Sequence, residues 1–311
     1  MARSWIGALI AVAVLALAGF LLVRTVGRYD LADIHAALER LEGRQLAAAA
    51  LLSAASYLVL TGVDLLGVRY AGRNLPYPHV AFASFAALSI GHSLGFAALS
   101  SGAVRFRFYR RWGLTVAEIA QVILFCGLTV LLGYGILGGL VLATSAPSLA
   151  NLIGLREGTL YMASALALFL PLVYFGLVLL GRTVRLWRLQ LRPPRPPLAL
   201  GQLLIGCLDV ALVAAVLHQT LGGSAALPYA TVLAVYMAAA VAGMLAHAPG
   251  GIGVVEAVTL AALPGAETIA GLLAFRAIYY LVPLALGGAA LACFELFAVR
   301  RKAARTAARA P

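Results

Sequence analysis

The sequence predicts an all-α polytopic membrane protein, and three observations support this. Of its 311 residues, 63% are hydrophobic and only 11% are charged, which is too apolar for a soluble domain. The apolar residues fall in long runs, most of which approach or exceed the roughly 20 residues that cross a bilayer core. Two runs end in glycine clusters that disfavour a continuous helix. We therefore expect about eight transmembrane helices with broken or re-entrant segments, in two halves that repeat each other weakly.

The predicted spans form a single membrane domain. They lie near residues 5–23, 45–66, 77–99, 115–144, 159–180, 199–217, 227–247 and 268–297. The chain, 1–311, divides into a first half (1–180), a basic linker (181–197), a second half (198–299) and a basic tail (300–311). The first run lacks a small-residue cleavage pattern, which predicts an uncleaved span. Apolar residues at helical spacing within 29–42 predict a helix in the membrane interface, and the prolines of the linker predict an extended segment.

Arginine accounts for nearly all of the net charge of +12, and its distribution predicts an orientation. Loops 24–44, 100–114 and 181–197 hold four, four and five arginines, whereas loops 67–76 and 145–158 hold two and one. Cytoplasmic loops carry an excess of Lys and Arg, so we expect the first three loops in the cytoplasm and Met1 outside. Because this bias and anionic headgroups explain the charge, we expect no nucleic-acid partner.

The basic tail should also be cytoplasmic, yet three predicted spans separate it from the linker, and an odd number cannot return the chain to the same side. Residues 250–264 could cross as a short ninth segment, or one long run could be two spans. Alternatively, the first span or the tail disobeys the charge bias. The first solution places the extra crossing on the stretch that is richest in helix-breaking residues.

That stretch, His-Ala-Pro-Gly-Gly-Ile-Gly-Val-Val-Glu at residues 247–256, is the strongest candidate for a functional site. Pro249 lacks an N–H group, and Gly250, Gly251 and Gly253 add backbone freedom, so an ordinary helix should not pass through. Broken backbone at membrane depth is tolerated only where protein buries it or where it lines a watery cavity. Glu256 follows on the first turn of a new helix. The alternative is a surface loop in which Glu256 starts an interfacial helix.

Other ionisable residues inside the apolar runs are functional candidates by default. Asp64 lies on one helical face with Ser53, Tyr57 and Thr61, and it either lines a cavity or pairs with the nearby Arg69 or Arg73. Asp209 has no basic neighbour in sequence. Arg276, near Tyr280, costs roughly 2.5–3.5 kcal/mol at the centre of a span, so it needs a partner, for which Glu256 and Asp209 are the leading candidates.

The third run ends in a second disrupted stretch, at residues 91–111. Gly91 and Gly95 have the spacing that lets helices approach closely, and Ser101 and Gly102 precede four arginines. The alternation of Arg105 and Arg107 with phenylalanine, followed by Tyr109, suits an interface where rings face lipid and guanidinium groups bind phosphate. The alternative is an ordinary positive loop.

Little in the sequence favours catalysis or a cofactor. Cys126, Cys207 and Cys293 each lie singly in apolar runs, without metal-ligand or redox-pair spacing. His92 and His247 could serve acid–base chemistry, but no nucleophile–base pair and no nucleotide-binding loop is present. We therefore expect a protein that is not an enzyme and that holds neither a cofactor nor a metal ion.

Four segments together resemble a known family. They are SYLVLTGVDLLGVRYAG (56–72), GHSLGFAALSSGAVRFRFYRRWGLT (91–115), PGGIGVVE (249–256) and FRAIYYLVP (275–283). In this order they resemble the membrane part of the lysylphosphatidylglycerol synthetase/flippase family, in a short stand-alone form without the aminoacyl-transferase domain. The resemblance implies lipid translocation between leaflets of the bacterial inner membrane, with the linker and the tail cytoplasmic.

The lipid implied by the resemblance is lysylphosphatidylglycerol or a related aminoacyl or anionic phospholipid. We expect Ser101, Arg105, Arg107 and Tyr109 to hold its phosphate. A cationic headgroup would meet the acidic residues, and the central arginine and its tyrosine complete the expected substrate site (Asp64, Asp209, Glu256, Arg276, Tyr280). The alternatives are an isoprenoid-lipid transporter and a non-catalytic accessory subunit of a lipid or envelope assembly. Further expected partners are a second copy, since the glycine-rich faces allow a homodimer, and a separate lipid-synthesis enzyme.

Overall fold

The structure is a computed structural model, and it is almost entirely helical. It describes residues 41–94, 97–153, 156–181, 183–186, 189–191, 193–222, 227–246 and 249–307, together with Ala32, Ala36 and Glu39. The expected first span at 5–23 and most of the expected interfacial helix at 29–42 therefore lie outside the described residues.

In chain order, the described elements are helices, two short strands, one 3₁₀ turn and one π-helical segment. The helices are α1 (Gly43–Tyr70), α2 (Tyr77–Leu94), α3 (Ala97–Arg111), α4 (Val116–Ile153), α5 (Glu157–Leu179), α6 (Pro196–Thr220), α7 (Tyr229–Leu245), α8 (Val254–Ala262), α9 (Ala266–Phe275) and α10 (Val282–Ala307). Strands β1 (Val184–Leu186) and β2 (Leu189–Leu191) precede α6, the 3₁₀ turn (Pro249–Gly251) precedes α8, and the π-helix (Arg276–Leu281) joins α9 to α10.

Five stretches of the described chain are long and apolar enough to cross a membrane, so this is a multi-pass membrane protein. They are Gly43–Tyr70, Val116–Pro147, Glu157–Leu179, Pro196–Thr220 and Glu267–Leu296. The segments predicted to cross at 77–99 and 227–247 are not among them. The glycine-rich fourth run is one continuous helix, α4, and is not split in two.

Helices α2 and α3 form a first hairpin that starts and finishes at the same end of the bundle. Arg73, just before α2, donates from Nη2 to the carbonyl of Gly113, just after α3, at 2.7 Å, and its Nε lies 3.0 Å from Glu118 Oε1. At the tip of the hairpin, the His92 ring lies 6.0 Å from that of Tyr57, halfway along α1. The prediction that loops 67–76 and 100–114 lie on opposite sides is therefore wrong.

Helices α7 and α8 form a second hairpin, which starts from the other end. His218 Nε2, near the end of α6, lies 2.9 Å from the carbonyl oxygen of Leu227, before α7. After the hairpin, Gly271 of α9 packs against the backbone of Thr220, so the chain has returned to where α6 ends. A methyl group on Gly250, at the hairpin tip, would lie 3.3 Å from the Ser93 carbonyl oxygen. The tips of the two hairpins thus meet in the middle of the bundle.

The second half repeats the first with inverted topology. Helices α1 and α6 run antiparallel, with Gln45 Nε2 donating to the Gly222 carbonyl at 2.6 Å and Ser56 Oγ donating to Asp209 Oδ1 at 2.6 Å. Each is followed by a hairpin and then by a crossing segment, α4 or α9–α10, while α5 joins the two units. Such inverted repeats are frequent among transporters.

The two ends of the bundle differ in charge. The arginine-rich end contains Arg73, residues 107–118, the linker before α6 and Glu295, whereas the opposite end contains the start of α1 and the end of α6. Because both hairpins return to the end where they begin, the linker and α10 finish at the same end, which resolves the odd span count. The start of α1 lies opposite the linker, so the prediction that residues 24–44 lead into α1 from the linker's side is wrong.

The prediction of an extended linker is wrong in part, because β2 folds back on β1. Strands β1 and β2 pair antiparallel, with Val184 opposite Leu191 and Leu186 opposite Leu189. Arg195 has extended backbone, with φ −63° and ψ 146°, and the prolines at 196 and 197 belong to the first turn of α6. Proline is tolerated there because the first N–H groups of a helix have no intrahelical acceptor.

Glycines bring α4 and α6 into backbone contact. A methyl group on Gly133 would lie 3.1 Å from the Gly206 Cα and closer still to its carbonyl group, and one on Gly206 would lie 2.6 Å from the Thr129 carbonyl oxygen. Small residues permit this approach in membrane helices, where close packing and hydrogen bonds favour association.

We expect Gly133→Ala to destabilise the fold by about 1–3 kcal/mol, because the added methyl group must push two backbones apart. Gly127→Ala is the matched control on the same helix. Nothing lies within 4 Å of its methyl position, so it should be neutral or stabilising by roughly 0.5–1 kcal/mol. Denaturant unfolding of the purified protein in mixed micelles compares the two. Equal stabilities would show that the helices do not pack this closely.

Candidate functional site

The tip of the second hairpin is a chain reversal that only glycine forms easily. Gly250, Gly251 and Gly253 have φ values of 58°, 64° and 84°, in the region that other L-residues rarely adopt. Pro249 opens the 3₁₀ turn, and α8 begins at Val254. The helical path is interrupted here, at the level of the first hairpin's tip.

Glu256 and Arg276 satisfy the broken backbone. Arg276 donates from Nε to Glu256 Oε1 at 2.8 Å and from Nη2 to Oε2 at 3.2 Å, and its Nη1 donates to the Gly250 carbonyl. Glu256 Oε2 also accepts the Gly253 N–H at 2.7 Å. The guanidinium carbon lies 4.8 Å from the centre of the Tyr280 ring. Of the two expected partners of Arg276, the structure gives it Glu256.

Asp64 and Arg105 form a second buried ion pair, in the first hairpin. Arg105 donates from Nε and Nη2 to the two Asp64 oxygens at 2.8 and 2.7 Å. The Tyr109 hydroxyl donates at 2.8 Å and the Ser84 hydroxyl at 2.7 Å to the same carboxylate. Asp64 is 0% exposed and Arg105 is 3% exposed. The expected local partners, Arg69 and Arg73, are not the ones that Asp64 uses.

The two ion pairs anchor the hairpins with reversed charge. In the first, the hairpin supplies the arginine and α1 supplies the carboxylate; in the second, the hairpin supplies the carboxylate and the π-helix supplies the arginine. Six of the predicted site residues therefore fall into two separate groups, which are held by hydrogen bonds and, for Tyr280, by the contact of its ring with Arg276. One contains Asp64, Arg105 and Tyr109, and the other contains Glu256, Arg276 and Tyr280.

The arginine stretch is helical, which changes which of its residues face outward. Arg105 points into the bundle, and Phe108 and Ser101 are buried. Phe106 is 41% exposed, and Arg107, whose side chain is 26% exposed, lies with Nε 2.6 Å from Glu295 Oε1. The alternation of arginine and phenylalanine indicated that the two residue types lie on opposite faces. In a helix with 3.6 residues per turn, Arg105 and Phe108 instead share the buried face.

Two of the three glycines expected to break the third span do not do so. Gly91 lies inside α2, which is described to Leu94, and Gly102 lies inside α3, which is described from Ala97. A methyl group on Gly102 would lie 3.3 Å from the Ile123 side chain, so this glycine lets α3 pack closely on α4. Gly95 lies outside the described residues.

Asp209 forms a third polar group at mid-bundle, with hydroxyl partners. Ser56 Oγ donates to its Oδ1 at 2.6 Å and lies 3.2 Å from the Tyr279 hydroxyl. In the π-helix, carbonyl oxygens become available to side chains. The carbonyl of Ile278 accepts from the Ser53 hydroxyl at 3.4 Å, and that of Tyr279 from the Tyr57 hydroxyl at 3.2 Å.

An apolar cavity of about 590 Å³ lies beside this polar group. Its walls come from α4, α5 and the second hairpin, through residues such as Gly138, Ala167, Met237 and Val258. Tyr134 supplies the cavity's hydroxyl, which lies 3.1 Å from that of Tyr236. Lining residues such as Val241 and Ala261 are exposed, so the cavity is open along one side.

Comparison with known proteins places the chain in a family without assigning an activity. No protein-family model matches it. It is 30% identical over 281 residues to the uncharacterized protein slr0712 of Synechocystis sp., covering 88% of this chain and 87% of that protein. The chain belongs to the family of that protein. Because the similarity covers most of both proteins of this slr0712-like family, it informs the fold, and it leaves the function to be argued from the site.

The structure also gives roles to residues that sequence reasoning had missed. Glu295 binds both Arg107 and Arg111. The sequence contained a signal for it, because Glu295 is the one carboxyl inside the apolar run 268–297, and a charge inside a span is a functional candidate by default. Ser56, Tyr279 and Tyr134 carried no such signal, because serine and tyrosine are common in membrane helices. Only the fold brings them together.

Proposed function

We propose that this protein moves an amphipathic lipid between the leaflets of a membrane. The observation that carries the proposal is the apolar cavity, one wall of which is the hairpin with the broken tip. Apolar walls suit an acyl or isoprenoid chain, and ligand sites generally combine such walls with a few placed polar groups. Here the polar group is Tyr134, with Asp209 and Tyr279 farther inside.

The inverted hairpins supply a means of alternating access. Each hairpin reaches the middle of the bundle from one end, and the tips meet through backbone groups of Gly250, His92 and Ser93. Motion of one repeat against the other would open the central polar group to one end at a time, as in transporters with inverted repeats. The Asp64–Arg105 and Glu256–Arg276 pairs each stay within one half during such motion, whereas the pairs of Glu295 with Arg107 and Arg111 join the two halves.

A phospholipid headgroup would first meet the arginine-rich end. Arg107 is partly exposed and pairs with Glu295 through Nε, whereas Arg105 is buried and bonds Asp64 through two nitrogens. A lipid phosphate would therefore compete with Glu295 for Arg107, and Arg105 would act by holding the hairpin in place. The resemblance of the sequence favours lysylphosphatidylglycerol or another aminoacyl or anionic lipid.

We further propose the bacterial inner membrane, with the arginine-rich end in the cytoplasm. That end carries Arg73, Arg107, Arg110 and Arg111, together with the arginines of the linker and the tail, in keeping with the bias for Lys and Arg inside. The five described crossings and the apolar run at 5–23 would then give six crossings and two re-entrant hairpins, in place of eight spans.

Filling the cavity tests the proposal. We expect wild-type protein in liposomes to accelerate leaflet exchange of fluorescent lysylphosphatidylglycerol or phosphatidylglycerol. Ala261→Trp should reduce that rate at least tenfold, because the indole occupies the space for the lipid chain. Ala165→Trp is the matched control. It places the same ring at an exposed site on α5 that is not among the cavity-lining residues, and it should keep the wild-type rate.

Two results would count against lipid transport through this cavity. Equal rates for liposomes with and without the protein, for both lipids, would favour the accessory-subunit alternative. An unchanged rate in Ala261→Trp would show that lipid moves elsewhere. An isoprenoid phosphate in the same assay tests the alternative of an isoprenoid-lipid transporter, because this lipid shares the phosphate but lacks the glycerol and the amine.

A further inference from the structure

Asp209, which is half-buried, differs from the buried carboxylates of the described chain. Asp64, Glu256 and Glu295 each pair with at least one arginine. Asp209, halfway along α6, forms no ion pair with any described residue, and the partner that its carboxyl does have is the Ser56 hydroxyl. A carboxyl at this depth is therefore left without the cation that its three counterparts possess.

The groups that face Asp209 are hydroxyl-bearing rings. Tyr57 of α1, Tyr134 of α4 and Tyr279 of the π-helix lie close enough to interact electrostatically with its carboxyl group. His92 of α2 stacks on Tyr279, with ring centres 5.9 Å apart, and its buried Nδ1 has no hydrogen-bond partner among the described residues. No described lysine or arginine is paired with this group.

An ionised carboxylate at mid-bundle is costly when no cation is paired with it and its one side-chain partner is a neutral hydroxyl. Ionisable residues that face the interior of a transporter without a permanent counter-ion are typical of proton pathways. Tyrosine and serine hydroxyls both donate and accept hydrogen bonds, so they can serve Asp209 in either protonation state.

We infer that Asp209 is a proton-binding site at the centre of the transport path, and that binding and release of its proton drive lipid movement. This rests on the proposed lipid transport. The step is a proton transfer alone: the Asp209 O–H bond breaks, the proton passes to water through the Ser56 and Tyr279 hydroxyls, and the carboxylate remains until it takes up a proton from the other side.

The position of Asp209 explains why its charge should matter for movement. Ser56 joins it to Tyr279, and Tyr279 contacts His92 at the tip of the first hairpin. Tyr57 and Ser53 hold the π-helix to α1 next to the same point. A negative charge at Asp209 has to draw in water or reorient these hydroxyl groups. Either change acts where the two repeats meet.

Infrared spectroscopy tests proton binding without reference to lipid. In a pH titration of the reconstituted protein, we expect a carboxylic-acid C=O absorption that titrates in the wild type and disappears in Asp209→Asn. Glu118→Gln is the control, because Glu118 is a carboxyl at the surface start of α4, and it should leave this band unchanged. A spectrum that is the same in Asp209→Asn and in the wild type would overturn proton binding at Asp209.

Transport under a pH gradient tests the coupling. With the membrane potential clamped, one pH unit across the liposome should shift the leaflet ratio of the lipid up to about tenfold if one proton accompanies each lipid. Asp209→Asn should lose this shift. A shift that Asp209→Asn retains would overturn the coupling, as would a response to a sodium gradient at equal pH. If the wild type moves no lipid, the proposed function fails, and the infrared band still decides on proton binding.

Discussion

Replacing Arg105 with methionine is expected to lower the free energy of unfolding by about 3–5 kcal/mol, since this leaves a buried carboxylate without its cation. Asp64 would keep the Ser84 and Tyr109 hydroxyls but lose both guanidinium bonds. Methionine preserves the length of the apolar stem, so the loss reports the charge and not a cavity. Reversible unfolding in detergent–SDS mixed micelles measures it.

Two further variants isolate the cause. Arg44→Met removes the arginine of the Arg44–Glu42 pair, whose side chains are 89% and 63% exposed, and exposed pairs contribute little. It should unfold like the wild type. The double variant Asp64→Asn/Arg105→Met contains no unpaired charge and should recover most of the lost stability. If Arg105→Met unfolds at the wild-type midpoint, the pair does not anchor the first hairpin.

Glu256→Gln is expected to destabilise the second hairpin by a similar amount, about 3–5 kcal/mol, while its effect is concentrated in residues 249–256. The amide nitrogen of glutamine cannot accept a hydrogen bond. In place of Oε1 it leaves Arg276 Nε without an acceptor, and in place of Oε2 it leaves both the Gly253 N–H and Arg276 Nη2 without one. Arg276 also becomes an uncompensated buried cation. Hydrogen–deuterium exchange should therefore become faster at the hairpin tip than in α1 or α6.

Glu267→Gln provides the matched control for this variant. Glu267 also lies in the first turn of a helix, α9, but it is exposed, so the substitution removes the interaction with the helix dipole without breaking a buried pair. Exchange at the tip should not change. Adding Arg276→Met to Glu256→Gln should restore part of the stability. A double variant that loses the full sum of the two single effects would show that the residues act independently.

The sequence predicted the parts of the site that local chemistry determines. A proline followed by three glycines within five residues disfavours a helix in any fold, and the interruption at 249–253 follows from that alone. The cost of a charge inside a span likewise predicted that Arg276 needs a partner. Both inferences depend on intrinsic properties of residues and not on where distant segments lie.

Long-range geometry was beyond a local interpretation of the sequence. Asp64 bonds an arginine 41 residues away, because the first hairpin turns back toward the end from which it starts. Hydropathy cannot distinguish such a hairpin from a crossing, since both contain apolar helices of similar length. The π-helix at 276–281 has no signature of its own either. Those three facts account for the wrong predictions about spans and loop sides.

The contacts of the hairpins also constrain the order in which the protein can mature during synthesis. Glu256 is bonded to Arg276, which is synthesised 20 residues later. At about 5–20 residues per second, the ribosome needs roughly one to four seconds to add that stretch. The first hairpin waits far longer, because Arg107 pairs with Glu295, which is synthesised 188 residues after it. Helix α10 therefore completes the contacts of the first hairpin, and a chain that stops before α10 would leave Arg107 and Arg111 without their shared carboxylate.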